Sequence, residues 1–288
     1  MKLLSFGEIL WDVYPNEKYI GGAPLNFAAH FAKQGGESYM LSAVGDDELG
    51  KSALNLLRNR DIKTDYISVS KTNETGKCIV ALDSKGIPNY SLLDNVAYDY
   101  ITKPDLSNEK FDAFYFGSLA LRNKPNRQTV SEIIRDNSFQ EIFVDINIRK
   151  PFVSEDAVEL AFQNATVVKI SDEELPIVTK LLFDDEYDYI MTSKEIGNKF
   201  NNIKLVIITL GENGSFAYDC KKDIAYSCGV EKVKVMSTVG AGDSFSATFL
   251  NKYLSGLEIE ECLKSASKVS AFVVSKAEAI PDYESLAY

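Results

Sequence analysis

Residues 237–245 read Ser-Thr-Val-Gly-Ala-Gly-Asp-Ser-Phe, and this stretch predicts a tight turn that opens a helix. Gly240 and Gly242 enclose one small residue, and Asp243 follows directly. Gly256 is a suitable end for the helix. From Phe245 onward, apolar residues recur at spacings of three and four, as on one helical face, at Phe245, Phe249, Leu250, Tyr253, Leu254 and Leu257.

Such a turn is suited to binding an anion. The first N–H groups of a helix are free and lie at the positive end of its dipole, so Gly240, Ala241 and Gly242 could hold a phosphate. Asp243 in the first helical turn could accept a proton from an attacking hydroxyl, which suits phosphoryl transfer. The same residues also fit a purely structural strand-to-helix turn with a helix-stabilising aspartate. The turn alone leaves both interpretations open.

Composition limits the classes of protein to consider. The 288 residues are 45% hydrophobic, enough for one large α/β core, and no apolar run is long enough to cross a bilayer. The formal net charge of −11 argues against nucleic acid or an anionic membrane as a partner. We expect a reducing, cytoplasmic setting, since no Cys-x-x-Cys spacing links the four cysteines, Cys78, Cys220, Cys228 and Cys262.

The single histidine excludes most histidine-based mechanisms. His30 lies in an apolar helical stretch, Phe27–Ala32, where core packing or a partial contact is the expected role. We therefore expect carboxylates to perform any acid–base chemistry.

Short β-rich runs alternate with helical segments along the chain. Continuous apolar runs are typical of parallel strands buried on both faces. The segments 127–135 and 157–165 suit crossover helices, which predicts an open, mostly parallel α/β sheet with helices on both faces and ligands at the carboxyl ends of the strands. The predicted strands are Leu3–Phe6, Ala113–Phe116, Ile142–Ile146, Val167–Ile170 and Leu205–Leu210.

Two further strand-like runs, Lys77–Leu82 and Ile87–Leu93, interrupt this alternation. A turn-rich connection at 83–86 joins them, which indicates a hairpin. Near the N-terminus, Gly21-Gly22-Ala23-Pro24-Leu25-Asn26 reads as a helix entry where backbone can approach a ligand closely. Asn26 offers both a donor and an acceptor, which suits neighbouring sugar hydroxyls.

Residues 237–243 closely resemble the signature of the ribokinase-like (PfkB-type) carbohydrate kinases, Asp-Thr-Val-Gly-Ala-Gly-Asp. Ser237 replaces the first aspartate and the other six positions match. Residues 21–28 resemble the family's N-terminal sugar-binding signature, and the two stand in the expected order. The resemblance implies one ribokinase-like domain over residues 1–288, with a small β-sheet lid formed by about 13–20 and 72–99. A surface hairpin without a gating role is the alternative for the lid.

The resemblance also implies roles for individual residues. Asp243 is the expected base, with Arg149 as a cationic clamp beside Gly240, Ala241 and Gly242. The residues expected along the nucleotide are Lys169, Thr209, Gly211 and Gly214. Glu174 is expected near Mg²⁺. Residues 7–12 are expected to end the first strand, with Asp12 at its carboxyl end. The expected sugar ligands are Asp12, Gly21, Gly22, Asn26, Asn147 and Arg122.

Three of these segments also allow a structural interpretation that does not depend on the resemblance. Asp145, Asn147 and Arg149 alternate after an apolar strand, so an extended chain would direct them to one side. Ser171 and Glu174 have the spacing of a helix capping box. The stretch from Thr209 to Ser215 fits a plain β-hairpin.

Several segments are most similar to bacterial fructokinases, among them 7–12 (Gly-Glu-Ile-Leu-Trp-Asp) and 116–122 (Phe-Gly-Ser-Leu-Ala-Leu-Arg). The resemblance implies ATP-dependent phosphorylation of the 6-hydroxyl of D-fructose, with ATP and Mg²⁺ as cofactors and a homodimer as an option. Ser237, in place of the usual aspartate, makes activation by a monovalent cation doubtful. Glu278 stands where glycine is usual, which could alter the adenine end of the site or the cation loop. Another sugar kinase of the family (for ribose or 2-keto-3-deoxygluconate) or a non-catalytic sugar-binding protein are the alternatives. A dinucleotide-binding oxidoreductase ranks far behind, because no Gly-x-Gly-x-x-Gly follows the first strand.

Overall fold

The computed structural model describes residues 1–82, 88–184 and 188–284 and shows an α/β fold built on a nine-stranded sheet. The strand order is β13-β12-β11-β10-β9-β8-β1-β4-β5, with seven parallel strands and an antiparallel edge at β12 and β13. The bounds are β1 Lys2–Phe6, β4 Glu37–Gly45, β5 Ile62–Ser70, β8 Ala113–Gly117, β9 Glu141–Asp145, β10 Val167–Ser171, β11 Leu205–Thr209, β12 Ser215–Asp219 and β13 Ile224–Cys228.

Helices cover both faces of this sheet. On one face α3, α4, α5 and α6 pack on side chains such as Phe114 and Val206, and on the other α1, α7 and α8 pack on Tyr115 and Ile207. Neighbouring strand residues thus enter two different cores, which is why these strands read as unbroken apolar runs. The bounds are α1 Ala23–Lys33, α2 Glu48–Arg58, α3 Lys124–Asp136, α4 Glu155–Asn164, α5 Leu175–Phe183, α6 Tyr189–Lys199, α7 Ala241–Leu254 and α8 Ile259–Val274.

A separate four-stranded sheet, which we call the lid, contains the remaining strands in the order β3-β2-β6-β7. They are β2 Leu10–Val13, β3 Lys18–Gly21, β6 Gly76–Leu82 and β7 Pro88–Leu92. The lid therefore begins at Leu10, earlier than the expected residue 13. The predicted connection at residues 83–86 lies outside the described residues.

The five predicted strands and the two predicted crossover helices are confirmed, with their ends within a few residues of the expected positions. Asp12 is placed differently from the expectation. β1 ends at Phe6, and Asp12 lies on lid strand β2 rather than at the end of the first strand of the main sheet. Within the described part of the chain, no helix is both long enough and apolar enough to span a membrane.

Candidate active site

The turn before α7 has the geometry that the sequence predicts. Gly240 precedes the helix with φ of 81°, a conformation that glycine adopts readily. A Cβ atom on Gly240 would lie 2.5 Å from the carbonyl oxygen of Ala279, so the C-terminal segment packs directly on this turn. The N–H group of Ala241 donates a long hydrogen bond of 3.3 Å to Thr238 O. The N–H groups of Gly242 and Asp243 donate to no other described residue and are available to an anion.

Asp243 lies in the first turn of α7 and contacts α1. Its Oδ2 accepts a hydrogen bond of 2.8 Å from Asn26 Nδ2, across 217 residues of sequence. Burial raises the pKa of the Asp243 carboxyl to about 6, with Asp145 adding to the shift and Asn26 opposing it. The helix entry and the Gly-Ala-Gly turn are therefore two sides of one site, with a carboxyl that can exchange a proton near neutral pH.

The Gly21-Gly22 pair connects the end of lid strand β3 to the start of α1. Gly22 has φ of 118°, and a Cβ there would lie 2.3 Å from the backbone oxygen of Glu8. A Cβ on Gly21 would lie 3.1 Å from Asp12 Oδ2, so within the lid sheet the Asp12 side chain lies against the end of β3. Burial raises the pKa of Asp12, while Cys78 and Arg149 oppose the shift.

A buried ion pair lies below the turn. Lys169 Nζ donates to Asp145 Oδ1 at 3.1 Å, and Ser246 Oγ of α7 donates to Asp145 Oδ2 at 3.0 Å. Burial opposes the charge on Lys169, but Asp145 and Glu174 outweigh it and raise the Lys169 pKa. The same ammonium group would be 3.4 Å from a Cβ on Gly242. Lys169 thus brings a positive charge to the backbone of the proposed anion site.

The strand end after Asp145 does not continue as an extended chain. Asn147 adopts φ of 42°, so the expected alternation of Asp145, Asn147 and Arg149 on one side is wrong. Asp145 is buried, Asn147 is half-buried and Arg149 is exposed. The charge of Arg149 nevertheless acts on the carboxyl groups of Asp12 and Asp243, which places it beside the site.

Arg122 is not a free cation in this structure. Its Nε and Nη2 donate to the two carboxylate oxygens of Asp99 at 2.7 and 2.8 Å, and Nη2 also donates to Leu93 O. The guanidinium group stacks over Tyr98 and Phe152. These contacts fix the segment that leads from lid strand β7 back to strand β8 of the main sheet. The sequence pattern does not indicate this structural role.

Both carboxylate oxygens of Glu174 accept hydrogen bonds from backbone amides. Oε1 accepts from Ile148 N at 2.7 Å and Oε2 from Ser171 N at 2.8 Å. The second bond is one half of the predicted capping box, but α5 begins only at Leu175 and Ser171 does not cap it. No cluster of three or more His, Cys, Asp or Glu side chains within the described ranges is arranged to hold a metal.

The hairpin of β11 and β12 carries Thr209, Gly211 and Gly214 at the same edge of the sheet. Gly214 has φ of 96°, and a Cβ there would lie 2.1 Å from Cys228 O, so pairing with β13 accounts for this glycine. Gly211 has φ of 54° with open space around it. The plain hairpin and a nucleotide-facing turn are both compatible with this geometry.

The C-terminal segment is held against α1 by His30. Neutral His30 donates from Nε2 to Ala279 O at 3.0 Å and accepts at Nδ1 from Tyr283 Oη at 2.6 Å. Burial lowers the His30 pKa to about 3, as the expected core role requires. Ser237 Oγ accepts from Val239 N at 3.2 Å and so stabilises the turn.

Glu8 belongs to this site although the sequence argument did not select it. It follows β1, is 3% exposed, and its Oε1 accepts from Ala23 N, the first N–H of α1, at 3.1 Å. Burial raises the pKa of the Glu8 carboxyl to about 7. Hydrogen bonds from the backbone N–H groups of Glu8 and Ala23 and the charge of Arg149 oppose this rise. A carboxylate directly after an apolar parallel strand was the available signal.

The arrangement combines a carboxylate base, free helix-start amides and a buried ammonium group at the carboxyl ends of parallel strands. These are the elements that a phosphoryl-transfer enzyme requires for a hydroxyl acceptor. Residues 4–286 match the family described as pfkB family carbohydrate kinase. This chain belongs to that family and is a carbohydrate kinase.

Individual relatives agree with this assignment. The chain is 30% identical over 322 residues to "Probable fructokinase-2" of Arabidopsis thaliana, covering 99% of this chain and 95% of the relative. It is 27% identical to "5-dehydro-2-deoxygluconokinase 2" of Bacillus cereus, covering 96% and 90% of the two chains. An uncharacterized sugar kinase from Pyrococcus horikoshii, solved in complex with ATP, superposes with a TM-score of 0.80 at 26% identity and covers 96% and 94%.

Proposed function

We propose that this kinase transfers the γ-phosphoryl group of ATP to the 6-hydroxyl group of D-fructose. The observation that carries the proposal is Asp243, held by Asn26 at the start of α7 with a pKa near 6. The name of the Arabidopsis relative supports fructose as the acceptor, and the ATP in the Pyrococcus structure supports the donor.

In the proposed reaction, Asp243 accepts the proton as the 6-oxygen attacks the γ-phosphorus. The bond from that phosphorus to the bridging oxygen breaks, and ADP leaves with its electron pair. The N–H groups of Gly242 and Asp243 and the dipole of α7 stabilise the charge on the transferred group. Lys169 and Arg149 add positive charge near the turn.

We propose that Asp12, Gly21, Gly22, Asn26 and Asn147 bind the sugar, and that Thr209, Gly211 and Gly214 lie along the nucleotide. Mg²⁺ demands oxygen ligands but keeps several waters, so it needs few protein groups. Glu174 lies at the same edge of the sheet; each of its oxygens accepts one backbone amide and keeps a second lone pair with which it could bind the metal or a metal-bound water. Bound Mg²⁺ would neutralise phosphate charge.

The proposal is tested with purified protein, Mg²⁺ and ATP against a panel of fructose, ribose, 2-keto-3-deoxygluconate and 5-dehydro-2-deoxygluconate, with ADP release as the measurement. Fructose should give the highest kcat/KM. A higher value for another sugar identifies that sugar as the substrate instead, and sugar binding without turnover supports the non-catalytic alternative. Because Ser237 is committed to its own turn, we expect the same rate with K⁺ or Na⁺ as the counterion.

A further inference from the structure

One oxygen of Glu8 is buried without a hydrogen-bond partner. Oε1 is bonded to Ala23 N, whereas Oε2 has none within the described part of the chain. An unpaired buried carboxylate oxygen is costly and rare in native proteins, and it requires an explanation. The charge of Glu8 helps to raise the pKa of the Tyr98 hydroxyl, but that hydroxyl donates to no described residue.

Glu8 lies beside the part of the site where we propose that the sugar binds. Gly22 brings the start of α1 against Glu8, with the Glu8 Cγ 3.3 Å from a Cβ at Gly22. The charges of Arg149 and Asp243 both act on the Glu8 carboxyl. One helical turn further, Asn26 Oδ1 is also buried and unpaired, while Asn26 Nδ2 is bonded to Asp243. Two buried, unpaired acceptors therefore lie at the first turn of α1.

We propose that Glu8 is a substrate-binding residue whose Oε2 accepts a hydrogen bond from a hydroxyl group of the sugar. Oε1 meanwhile holds the first turn of α1 in place. A polyhydroxylated sugar is a ligand that supplies the missing donor. The inference rests on the proposed sugar kinase activity and adds to it a residue with a defined hydrogen-bond polarity.

The substitution Glu8→Gln separates the two oxygens. Glutamine retains an acceptor for Ala23 N but places an NH₂ donor where Oε2 lies. We expect the KM for the sugar to rise about 10- to 100-fold, as loss of a hydrogen bond to a charged group predicts. The KM for ATP should not change, and kcat should remain within about threefold.

Monodeoxy sugars identify the hydroxyl group. For the one analogue that lacks the hydroxyl bound by Glu8, wild type and E8Q should have equal kcat/KM, whereas every other analogue should retain the full penalty. Glu141→Gln is the matched control, because Glu141 is 4% exposed but lies at the opposite end of β9 from Asp145, about 13 Å away along the strand. E141Q should leave the KM for the sugar unchanged.

An unchanged KM for the sugar in E8Q would overturn the inference. So would a penalty that is the same for every deoxy analogue, because Glu8 would then act only on the helix start. A wild-type enzyme that phosphorylates no sugar would contradict the proposed function instead. Titration calorimetry of sugar binding to wild type and E8Q then decides the role of Glu8 without turnover.

Discussion

Asp243 binds its proton more tightly than an exposed aspartate because burial disfavours the charged carboxylate. Its pKa of about 6 lies above the ordinary value of 3.8. As a base it must be ionised, so it is active above about pH 6 and protonated below. Protonation of Asp243 by itself should lower kcat/KM for the sugar about tenfold per pH unit below that value. A pH–rate series from 4.5 to 8.5 measures this, and a flat profile down to pH 4.5 would contradict Asp243 as the base.

Two variants isolate the contribution of Asp243 to this profile. Glu8, with a pKa of about 7, also gains charge over this range, so in wild type the fall should begin near pH 7. In E8Q only the inflection near pH 6 should remain. Asp243→Asn should lower kcat by about 10²- to 10⁴-fold at pH 8 and abolish the inflection near pH 6, since an amide cannot accept the proton.

Sequence reasoning reached some residues of the site and missed others for physical reasons. Asp243 and Asn26 were identified because helix starts have local signatures, even though their contact spans 217 residues. The ion pair of Arg122 with Asp99 and its bond to Leu93 O are not visible in a sequence pattern, because these partners stand 23 and 29 residues earlier in the chain. Asn147 departs from alternation through a left-handed φ of 42°, which asparagine tolerates and a β-pattern does not reveal.

At the scale of elements, the α7 turn depends on its contact with the C-terminal segment. Gly240 and Gly256 flank α7 with nearly equal φ of 81° and 83°. A Cβ at Gly240 meets the Ala279 carbonyl at 2.5 Å, whereas one at Gly256 meets nothing within 4 Å. Alanine at either site carries the same strain of positive φ, about 1 kcal/mol. Only Gly240→Ala must also displace backbone.

We therefore expect G240A to lower the free energy of unfolding by more than G256A and to reduce kcat by about 100-fold or more. The reason is that the shifted turn misplaces the Gly242 and Asp243 amides, and loss of a single such donor costs about that much. Urea unfolding and steady-state kinetics on both variants measure the two effects. Equal kinetics for G240A and G256A would show that the turn tolerates the displacement and would count against the anion site.

The strands were predictable at this scale for a simple reason. Burial on both faces makes β1, β8, β9, β10 and β11 continuously apolar, and that pattern is visible in one sequence. The lid strand β2 was assigned late and Asp12 misplaced, because Leu10–Val13 is a short run that continues the composition of β1 after a break of three residues. Sequence pattern alone does not show where a chain leaves one sheet and joins another.

At the scale of the whole molecule, the lid and the main body share one spectroscopic reporter. Trp11 is the only tryptophan of the chain and lies on lid strand β2. It is 4% exposed, and its indole Nε1 donates to Leu49 O of α2 at 3.1 Å. Asp12, the next residue, is our proposed sugar ligand on the same strand. A lid that closes on sugar must therefore change the surroundings of Trp11.

We expect fructose to shift the fluorescence emission of Trp11 saturably, and ATP alone to leave it unchanged, because only the sugar contacts the lid. Asp12→Asn should move the midpoint of the titration to about tenfold higher sugar concentration with the same end point, since one charge-assisted hydrogen bond is lost. Trp11→Phe, which removes the reporter, controls for inner-filter effects. If calorimetry shows sugar binding while the emission of Trp11 stays constant, the small sheet binds the sugar as a fixed wall, and its proposed closure is wrong.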